Sequence, residues 1–285
     1  MNVLLIGHLS IDLLTGDGGH QEYGGIARAA ATLGSLASGR DQVVPVCAVP
    51  AEELERFGAF LGSYPALSTA GLVTAEHPLP RISVAALGQR GHAYEHHPQD
   101  PIPFEKIRRH LSADRVLINM VSGRDITLET LDEIRMAIRE RQVPIHLDIH
   151  NLTLRVSETG QLARGPVELW RRWAFMVDTV QMNEEEIATL TLERMAEAET
   201  AGHLLTLGSH AVIVTRGARG VTVYSNDRKR VVRADIPGLG QRRAKPGCGD
   251  VFGAAFVAHR AAGADAVEAA RAANALAAER CTVEA

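Results

Sequence analysis

The sequence is poor in cysteine and in aromatic residues, and it carries no excess of positive charge. Its three cysteines, Cys47, Cys248 and Cys281, have no CxxC spacing, so we expect neither a disulfide framework nor a structural zinc site. Thiols kept in the reduced state are typical of a cytoplasmic protein. A formal net charge of −4 and an aromatic content of 4% argue against a protein that coats nucleic acid, which needs a basic face and stacking rings.

Long hydrophobic runs are also lacking. No stretch of about 18 consecutive apolar residues occurs, so we expect no membrane span. Residues 1–14 have neither the basic segment nor the small-residue cleavage site of a secretory signal. What is present, 46% hydrophobic and 22% charged residues over 285 positions, is typical of a globular protein, and we interpret residues 1–285 as one domain.

Short apolar runs alternate along the chain with stretches rich in Ala, Leu, Glu and Arg. This alternation is typical of βαβ units and predicts a doubly wound α/β fold, with a mostly parallel sheet and helices on both faces. The predicted strands span residues 3–6, 43–49, 115–120, 143–148, 179–182, 212–216 and 221–224. The predicted helices span residues 26–36, 51–61, 127–139, 167–175, 184–190, 195–205, 250–260 and 266–280.

Residues 71–97 break this alternation with three short extended runs, and no helix fits between them. The last two runs flank Gly-Gln-Arg-Gly at residues 88–91, which favours a hairpin turn. We therefore expect a small antiparallel β-sheet outside the parallel core, formed by inserted segments at about 10–23 and 71–100. Such a sheet can act as a lid over a site at the sheet edge. A surface hairpin without a role is the alternative.

The segment Gly247-Cys248-Gly249-Asp250 precedes an Ala-rich helical stretch. Glycines let backbone N–H groups converge on one point, and a helix start adds unpaired N–H groups and a partial positive charge. Together they form an anion site suited to a phosphate, where a carboxylate can accept a proton from an adjacent hydroxyl. An Asp helix cap after a Gly turn, without a ligand, is the structural alternative.

Two further segments have both a structural and a functional interpretation. Asn183 and Glu186 follow a predicted strand, either as a helix capping box or as oxygen ligands of Mg²⁺ beside a triphosphate. The run at 215–220, Thr-Arg-Gly-Ala-Arg-Gly, is either a turn between strands or a backbone ledge for a nucleotide.

Near the amino terminus, Asp12 follows the first strand and Gly24-Gly25 precedes a helix. Ligands of parallel sheets bind at the carboxyl ends of the strands, so Asp12 could accept hydrogen bonds from substrate hydroxyl groups there. Gly24 and Gly25 would let the backbone approach the ligand closely.

Taken in order, these segments resemble those of the ribokinase-like carbohydrate kinases of the phosphofructokinase B type. The order is a strand with G-x-x-x-x-D, Gly-Gly before a helix, N-x-x-E, T-R-G-x-x-G and G-x-G-D before a helix, over residues 3–278. The resemblance implies a doubly wound sheet with a β lid, and transfer of the γ-phosphoryl group of ATP, with Mg²⁺, to a hydroxyl group of a small sugar or nucleoside. It also implies a homodimer formed through the lid.

The resemblance implies a role for each motif. Asp250 would be the catalytic base, and the amides of Gly247, Cys248 and Gly249 would form the anion hole. Glu186 would reach Mg²⁺ through water. The nucleotide-binding residues so implied are Asn183, Glu186, Thr215, Arg216, Gly217, Gly220 and Asn274, and the sugar-binding residues are Asp12, Gly24 and Gly25. Lys245 is a further nucleotide-binding candidate at a position that departs from the family pattern.

Three positions depart from the family pattern. The Asp-Thr pair expected before the glycines is replaced by Ala244-Lys245, and Lys245 is either a phosphate ligand or a solvated loop residue. Ala29 stands where a sugar-binding Asn is expected. Cys248 replaces an alanine, either as a thiol with a lowered pKa at a helix start or as a small apolar filler.

The histidines leave further alternatives open. His146, Asp148 and His150 would share one face of a strand, as a metal site or as hydrogen-bonded residues near the cleft. His92, His96 and His97 fall in the predicted lid, as substrate contacts or as exposed polar residues.

Taken with the resemblance, the motifs predict an ATP- and Mg²⁺-dependent small-molecule kinase. Its alternatives are a non-catalytic sugar- or nucleotide-binding protein on the same scaffold and a kinase for a hydroxymethyl heterocycle such as a vitamin precursor.

Overall fold

The computed structural model describes residues 1–15, 20–85, 93–95, 99–156, 162–228, 230–239, 242–244, 247–280 and 282–284. Its strands are β1 (Asn2–Gly7), β2 (Leu9–Thr15), β3 (His20–Gly25), β4 (Gln42–Pro50), β5 (Leu72–Ala75), β6 (Arg81–Ala85), β7 (Ala93–Glu95), β8 (Arg115–Asn119), β9 (Ile145–Asp148), β10 (Leu154–Val156), β11 (Leu162–Arg164), β12 (Thr179–Asn183), β13 (Ala211–Thr215), β14 (Gly220–Asp227), β15 (Arg230–Pro237), β16 (Arg242–Ala244) and β17 (Thr282–Glu284). Its helices are α1 (Ile26–Leu36), α2 (Leu54–Gly62), α3 (Phe104–Ile107), α4 (Leu128–Ile138), α5 (Trp170–Phe175), α6 (Glu184–Thr189), α7 (Glu197–Thr206), α8 (Cys248–Ala261) and α9 (Ala266–Arg280).

Nine of the described strands form one sheet in the order β15-β14-β13-β12-β9-β8-β1-β4-β5. Within this sheet, β13, β12, β9, β8, β1, β4 and β5 run parallel to one another. At one edge, β14 is antiparallel to β13 and β15 is antiparallel to β14. The predicted mostly parallel, doubly wound fold is therefore confirmed. The parallel pairs are joined by helical crossovers, which is the connection that parallel strands require.

The sheet has a hydrophobic core on each face, because side chains alternate along a strand. Leu4 and Ile6 of β1 pack into the core that contains the buried side chains of α4, α5 and α7. Val3 and Leu5, from the same strand, pack into the opposite core with side chains of α1 and α8. Helices α8 and α9 also cover β13 and β14 on that second face. Strands buried on both faces account for the nearly continuous apolar runs in the sequence.

The predicted elements of the main sheet and its helices occur with small shifts at their ends. The predicted helix 51–61 begins as a short 3-10 turn at Ala51–Glu53 before α2, and the predicted helix 266–280 coincides with α9. Strands β2 and β3 lie largely within the segment 10–23 that was assigned to the small sheet, whereas β10, β11, β15, β16 and β17 were not predicted. Of the helices that the structure describes, none is long and apolar enough to cross a bilayer.

The small sheet differs from the predicted antiparallel sheet in one strand pairing and in one segment. It has the order β3-β2-β6-β7, with β2 and β6 parallel and the two outer pairs antiparallel. The prediction that 71–75 belongs to this lid was wrong, because β5 pairs in parallel with β4 at the edge of the main sheet. Gly71 allows that approach, since a Cβ there would lie 2.2 Å from the Pro45 carbonyl oxygen. The turn at 88–91 and the histidines at 92, 96 and 97 lie outside the described residues.

Replacing Ile118 with alanine should destabilise the fold. Ile118 lies in β8 at the centre of the main sheet and is completely buried, so its loss leaves a cavity. We expect the free energy of unfolding, measured by urea denaturation, to fall by about 2–5 kcal/mol. The control is Met136→Ala, since Met136 is 65% exposed and its loss should change stability by only about 0.5 kcal/mol. Equal losses in the two variants would contradict the described core.

Candidate active site

Polar side chains from four neighbouring strands meet at the carboxyl edge of the main sheet. Asn119 is the last residue of β8 and lies beside Asp148, the last residue of β9. Asn183 and Thr215 end β12 and β13 and are likewise register partners. A cavity of about 590 Å³ opens here, which is the size of a small-molecule site. Open α/β sheets bind ligands at this edge because the strand ends and helix starts converge there.

The start of α8 forms one wall of this cavity. Gly247, with φ of 87°, turns the chain into the helix, and Cys248, Gly249 and Asp250 occupy its first turn. The first N–H groups of a helix have no intrahelical acceptor and carry partial positive charge, so this wall attracts an anion. Asp250 is only 3% exposed and lines the cavity, and Asn119 Nδ2 donates a hydrogen bond to its Oδ1 over 2.6 Å.

Gln181 of β12 ties the start of α8 to the sheet. Its Nε2 donates to Asp148 Oδ2 over 2.9 Å and to the carbonyl oxygen of Gly249 over 3.0 Å. Its Oε1 lies 3.2 Å from His146 Nε2, which identifies that nitrogen as the donor. A side chain at position 253 would meet Gln181 Oε1 at 2.9 Å, so Gly253 lets α8 approach this amide closely. The sequence analysis did not identify Gln181 as a site residue.

Buried ionisable groups surround the helix start and perturb one another. Burial raises the pKa of Asp148 well above its usual value, and the nearby carboxylates of Glu186 and Asp250 raise it further. Burial lowers the pKa of His150, because it penalises the charged imidazolium. The carboxylates of Asp250, Asp148 and Glu186 outweigh burial, so the pKa of His150 is raised. His150 Nε2 lies 4.0 Å from Asp250 Oδ1. A clustering of perturbed groups in one cavity is typical of active sites.

The segment from Asn183 to Glu186 satisfies its structural interpretation and also lines the cavity. Asn183 Oδ1 accepts from the Glu186 amide over 2.9 Å, and Glu186 Oε2 accepts from the Asn183 amide over 2.8 Å, which completes a capping box. Glu186 Oε1 accepts from Asn183 Nδ2 and lies 3.2 Å from Arg164 Nη2. Burial raises the pKa of this carboxyl group, although Arg164 opposes the rise.

These contacts test whether Mg²⁺ fits the site. No cluster of three or more His, Cys, Asp or Glu side chains with the geometry of a metal site occurs within the described ranges. Mg²⁺ usually keeps several waters and binds through one or two carboxylates together with the phosphates of a substrate. Asn183 and Glu186 fit that second mode, because both side chains line the cavity. An oxygen that accepts one hydrogen bond has a second lone pair, which can accept from a water bound to the metal. His146, Asp148 and His150 fit the hydrogen-bonded alternative, with His146 engaged by Gln181.

The far end of the cavity lies between the β13–β14 turn and α9. Thr215, Gly217 and Gly220 line it, and the two glycines have φ values of 55° and 101°. Asn274 of α9 lines the same end, and its Nδ2 donates to the Pro237 carbonyl oxygen over 3.1 Å. An open floor of glycine backbone beside a helix can accommodate a flat group such as a nucleobase.

Two further residues assigned to the nucleotide by sequence are Arg216 and Lys245. The side chain of Arg216 does not line the cavity, because it forms ion pairs with Glu184 and Glu197 on the other side of the turn. The interpretation of 215–220 as a nucleotide ledge depends on its backbone, so the nucleotide-binding assignment of Arg216 stays a prediction. Lys245 lies outside the described residues.

Asp12 and Gly25, two of the three predicted sugar-binding residues, line the near end of the cavity, and Gly24 packs against Asp12. Asp12 is 2% exposed, and its Oδ1 accepts from Ser10 Oγ over 3.3 Å. A Cβ at position 24 would lie 2.2 Å from Asp12 Oδ1, so only glycine fits beside this carboxylate. Gly25, with φ of 56°, precedes α1 and lines the cavity. Burial raises the pKa of Asp12, and the ion pair with Arg28 opposes the rise.

Comparison with known proteins agrees with this architecture. The model of the pfkB family of carbohydrate kinases matches residues 161–285. A pyrophosphate-dependent kinase of the ribokinase family superposes with a TM-score of 0.77 at 19% identity, over 98% of this chain and 94% of that one. The fold is ribokinase-like. Ribokinase from Thermotoga maritima gives a TM-score of 0.73 at 19% identity, over 97% of this chain and 91% of the other. An E. coli protein assigned as a ribokinase II, in complex with ATP and Mg²⁺, gives 0.76 at 16% identity, with 99% and 93% covered.

The sequence matches no curated protein. The pfkB match includes Asn183, Glu186, the 215–220 turn, Asp250 and Asn274, and it excludes Asp12, Gly24 and Gly25. The resemblance to the pfkB carbohydrate kinases that the motifs indicate is confirmed over residues 161–285, and the expected fold is confirmed over nearly the whole chain. Arg28, Asn119 and Arg164 also contribute to the site, although they belong to none of the sequence motifs. A polar residue that ends a buried strand is the signal that could have identified Asn119.

The buried His146 should make the stability of the protein depend on pH. Burial lowers its pKa to about 4, against about 6.5 in the unfolded chain, and the hydrogen bond to Gln181 opposes this only partly. Between these two values the unfolded chain binds one more proton, so the free energy of unfolding falls as the pH falls through that window. The expected loss is on the order of 3 kcal/mol.

Urea denaturation of the wild type and of His146→Gln across this pH range measures the effect. The variant lacks the titrating ring. Between pH 6.5 and pH 4, its free energy of unfolding should therefore change with pH less steeply than that of the wild type, by an amount that corresponds to about one bound proton. His210→Gln is the control, because the His210 side chain is 76% exposed. An unchanged slope in His146→Gln would show that the imidazole is not held neutral by burial.

Proposed function

We propose that the protein transfers the γ-phosphoryl group of ATP to a hydroxyl group of a small sugar or nucleoside. The observation that carries this proposal is the position of Asp250. Its carboxylate is buried, lines the cavity and lies in the first turn of the helix whose amide groups can hold a phosphate. A hydroxyl group placed there would lie between a base and a phosphoryl group. The pfkB match over residues 161–285 supports the same activity.

In this proposal Asp250 accepts the proton of the attacking hydroxyl group. Asn119 Nδ2 donates to Oδ1, which leaves the lone pairs of Oδ2 for the substrate and holds the carboxylate in one orientation. Asp12, at the near end of the cavity, would accept hydrogen bonds from other hydroxyl groups of the acceptor. General-base positioning of this kind contributes about 10²–10⁴-fold to a rate.

The start of α8 would stabilise the negative charge of the phosphoryl group in flight. Phosphoryl transfer depends mainly on positioning and on charge stabilisation, which fixed amide groups provide without reorganisation. Mg²⁺ bound with ATP would neutralise phosphate charge, and Asn183 and Glu186 would hold its water ligands. Lys245 remains a predicted phosphate ligand.

The length of the cavity favours a nucleotide as the donor. Beyond the helix start it continues to Gly217, Val221, Asn274 and Ala277, which provide an apolar slot beside backbone and amide groups. A donor made only of phosphates would leave this end empty. The matched kinase that is described as pyrophosphate-dependent makes pyrophosphate the informative competitor in an assay. A homodimer formed through the small sheet and a cytoplasmic location stay predictions.

Replacing Asp250 with asparagine should abolish most of the activity and preserve the fold. The change removes the base but keeps an oxygen that can accept from Asn119, so kcat should fall by at least about 10²-fold. ATP depletion over a panel of sugars and nucleosides, followed by steady-state kinetics, measures this, and circular dichroism checks the fold. Asp227→Asn, at an exposed strand end, is the control and should leave kcat unchanged. Wild-type rates in Asp250→Asn would remove Asp250 from the mechanism.

Replacing Glu186 with glutamine should weaken the response to Mg²⁺. Glutamine can still accept from the Asn183 amide and keep the capping box, but it lacks the charge that orients the waters of the metal. Groups that act on a metal through its ligands typically change affinity by about 10–100-fold, so the Mg²⁺ concentration for half-maximal activity should rise by at least about tenfold. Glu199→Gln, an exposed glutamate in the first turn of α7, is the control. An unchanged Mg²⁺ titration in Glu186→Gln would contradict the assignment.

A further inference from the structure

Arg28 connects the two ends of the site near Asp250. It lies in the first turn of α1, its side chain is only 15% exposed, and it lines the cavity. Nη2 lies 2.6 Å from Asp12 Oδ2 and donates to Glu22 Oε1 over 2.6 Å. One nitrogen of the guanidinium group is therefore committed to the carboxylate at the near end of the cavity.

The other edge of the guanidinium group lies against the start of α8. A Cβ built at position 247 would lie 2.3 Å from Arg28 Nη1 and 2.5 Å from its Cδ. Position 247 must therefore be glycine for a second reason besides its positive φ, since any side chain would displace Arg28. The cation lies directly beside the amide groups of the first turn of α8, where an anion would bind.

The hydrogen-bonding capacity of Arg28 is only partly used. A guanidinium group has five N–H donors, and within the described part of the chain Nη1 has no hydrogen-bond acceptor. Burial tends to lower the pKa of Arg28, but the carboxylates of Asp12, Asp250 and Glu22 outweigh it and raise the pKa. The group is therefore a permanent cation with a free donor at the edge of the anion site.

We propose that Arg28 is a catalytic residue whose Nη1 donates a hydrogen bond to the phosphoryl group during transfer, while Nη2 keeps Asp12 aligned for the acceptor. This inference rests on the proposed phosphotransfer. In the step, the acceptor oxygen forms a bond to the γ-phosphorus, and the bond from that phosphorus to the bridging oxygen breaks. ADP leaves with the electron pair, and the hydroxyl proton moves to Asp250. Arg28 gives up no proton and stabilises charge only.

The planar fork of arginine suits this double role. Its two terminal nitrogens can bond to different oxygens in fixed directions, whereas a lysine ammonium is a single point charge. Arg28→Lys keeps the charge but cannot serve Asp12 and the phosphoryl group in the same geometry. An arginine that contacts a phosphoryl group in flight contributes about 10³–10⁵-fold to kcat.

The kinetic experiment compares Arg28→Lys and Arg28→Ala with the wild type. We expect Arg28→Lys to lower kcat by about 10³-fold. Millimolar guanidinium should restore part of the kcat of Arg28→Ala in a saturable manner, and methylammonium should not. The matched control is Arg135→Gln, because Arg135 is also partly buried and its Nη2 lies 2.6 Å from Asp178 Oδ2, outside the cavity. Retained kcat in Arg28→Lys with a raised acceptor KM, or failure of guanidinium rescue, would overturn the proposal.

A binding experiment keeps the test independent of turnover. Isothermal titration with inorganic phosphate should show binding to the wild type and to Arg135→Gln, and affinity lower by at least about tenfold in Arg28→Gln, the loss of roughly one charged hydrogen bond. Equal phosphate affinity in wild type and Arg28→Gln overturns the role of Arg28 whether or not an acceptor is known. Loss of affinity in Arg28→Gln without any phosphotransfer by the wild type would refute the proposed function and leave Arg28 as an anion ligand. Absence of phosphate binding by the wild type would overturn both.

Discussion

A single hydrogen bond, from Asn119 Nδ2 to Asp250 Oδ1, joins the centre of the parallel sheet to the first turn of α8. The two residues are 131 positions apart in the chain. Gln181 adds a second connection, from the neighbouring part of the sheet to the Gly249 carbonyl oxygen. Because helix and carboxylate are both held by the sheet, the anion site and the base keep one relative position. The proposed chemistry depends on that position more than on any other contact.

The site combines buried carboxylates with a small number of cations. Asp148 and Glu186 both have raised pKa values because burial penalises their charged forms. Arg28 and Arg164 each pair with one of the acidic groups, Asp12 and Glu186 respectively. Because carboxylates outnumber cations in this cavity, it repels a polyanion such as a nucleoside triphosphate unless additional positive charge is present at the point of binding. The helix start, Arg28 and a metal ion bound to the donor would supply that charge at the point of transfer.

The fold was predictable to the extent that it depends on local pattern. Apolar runs buried on both faces gave β1, β4, β8, β9, β12 and β13 with small errors at their ends, because such runs are typical of parallel sheets. The segment at 71–75 was misplaced because a short extended run carries no information about its partner strand. Its pairing with β4 depends on a close approach at Gly71 that only the assembled chain shows.

By itself the sequence determined the order of elements, the resemblance to the carbohydrate kinases and the helix start that bears Asp250, since these depend on residues that are near one another in the chain. Only the tertiary structure decided that Arg216 turns away from the cavity and that Arg28 reaches from Asp12 to Gly247. Likewise it brought Asn119 to Asp250 from a strand with no recognisable motif. Such contacts join distant parts of the chain, and their geometry follows from strand order and helix packing, which no local pattern encodes.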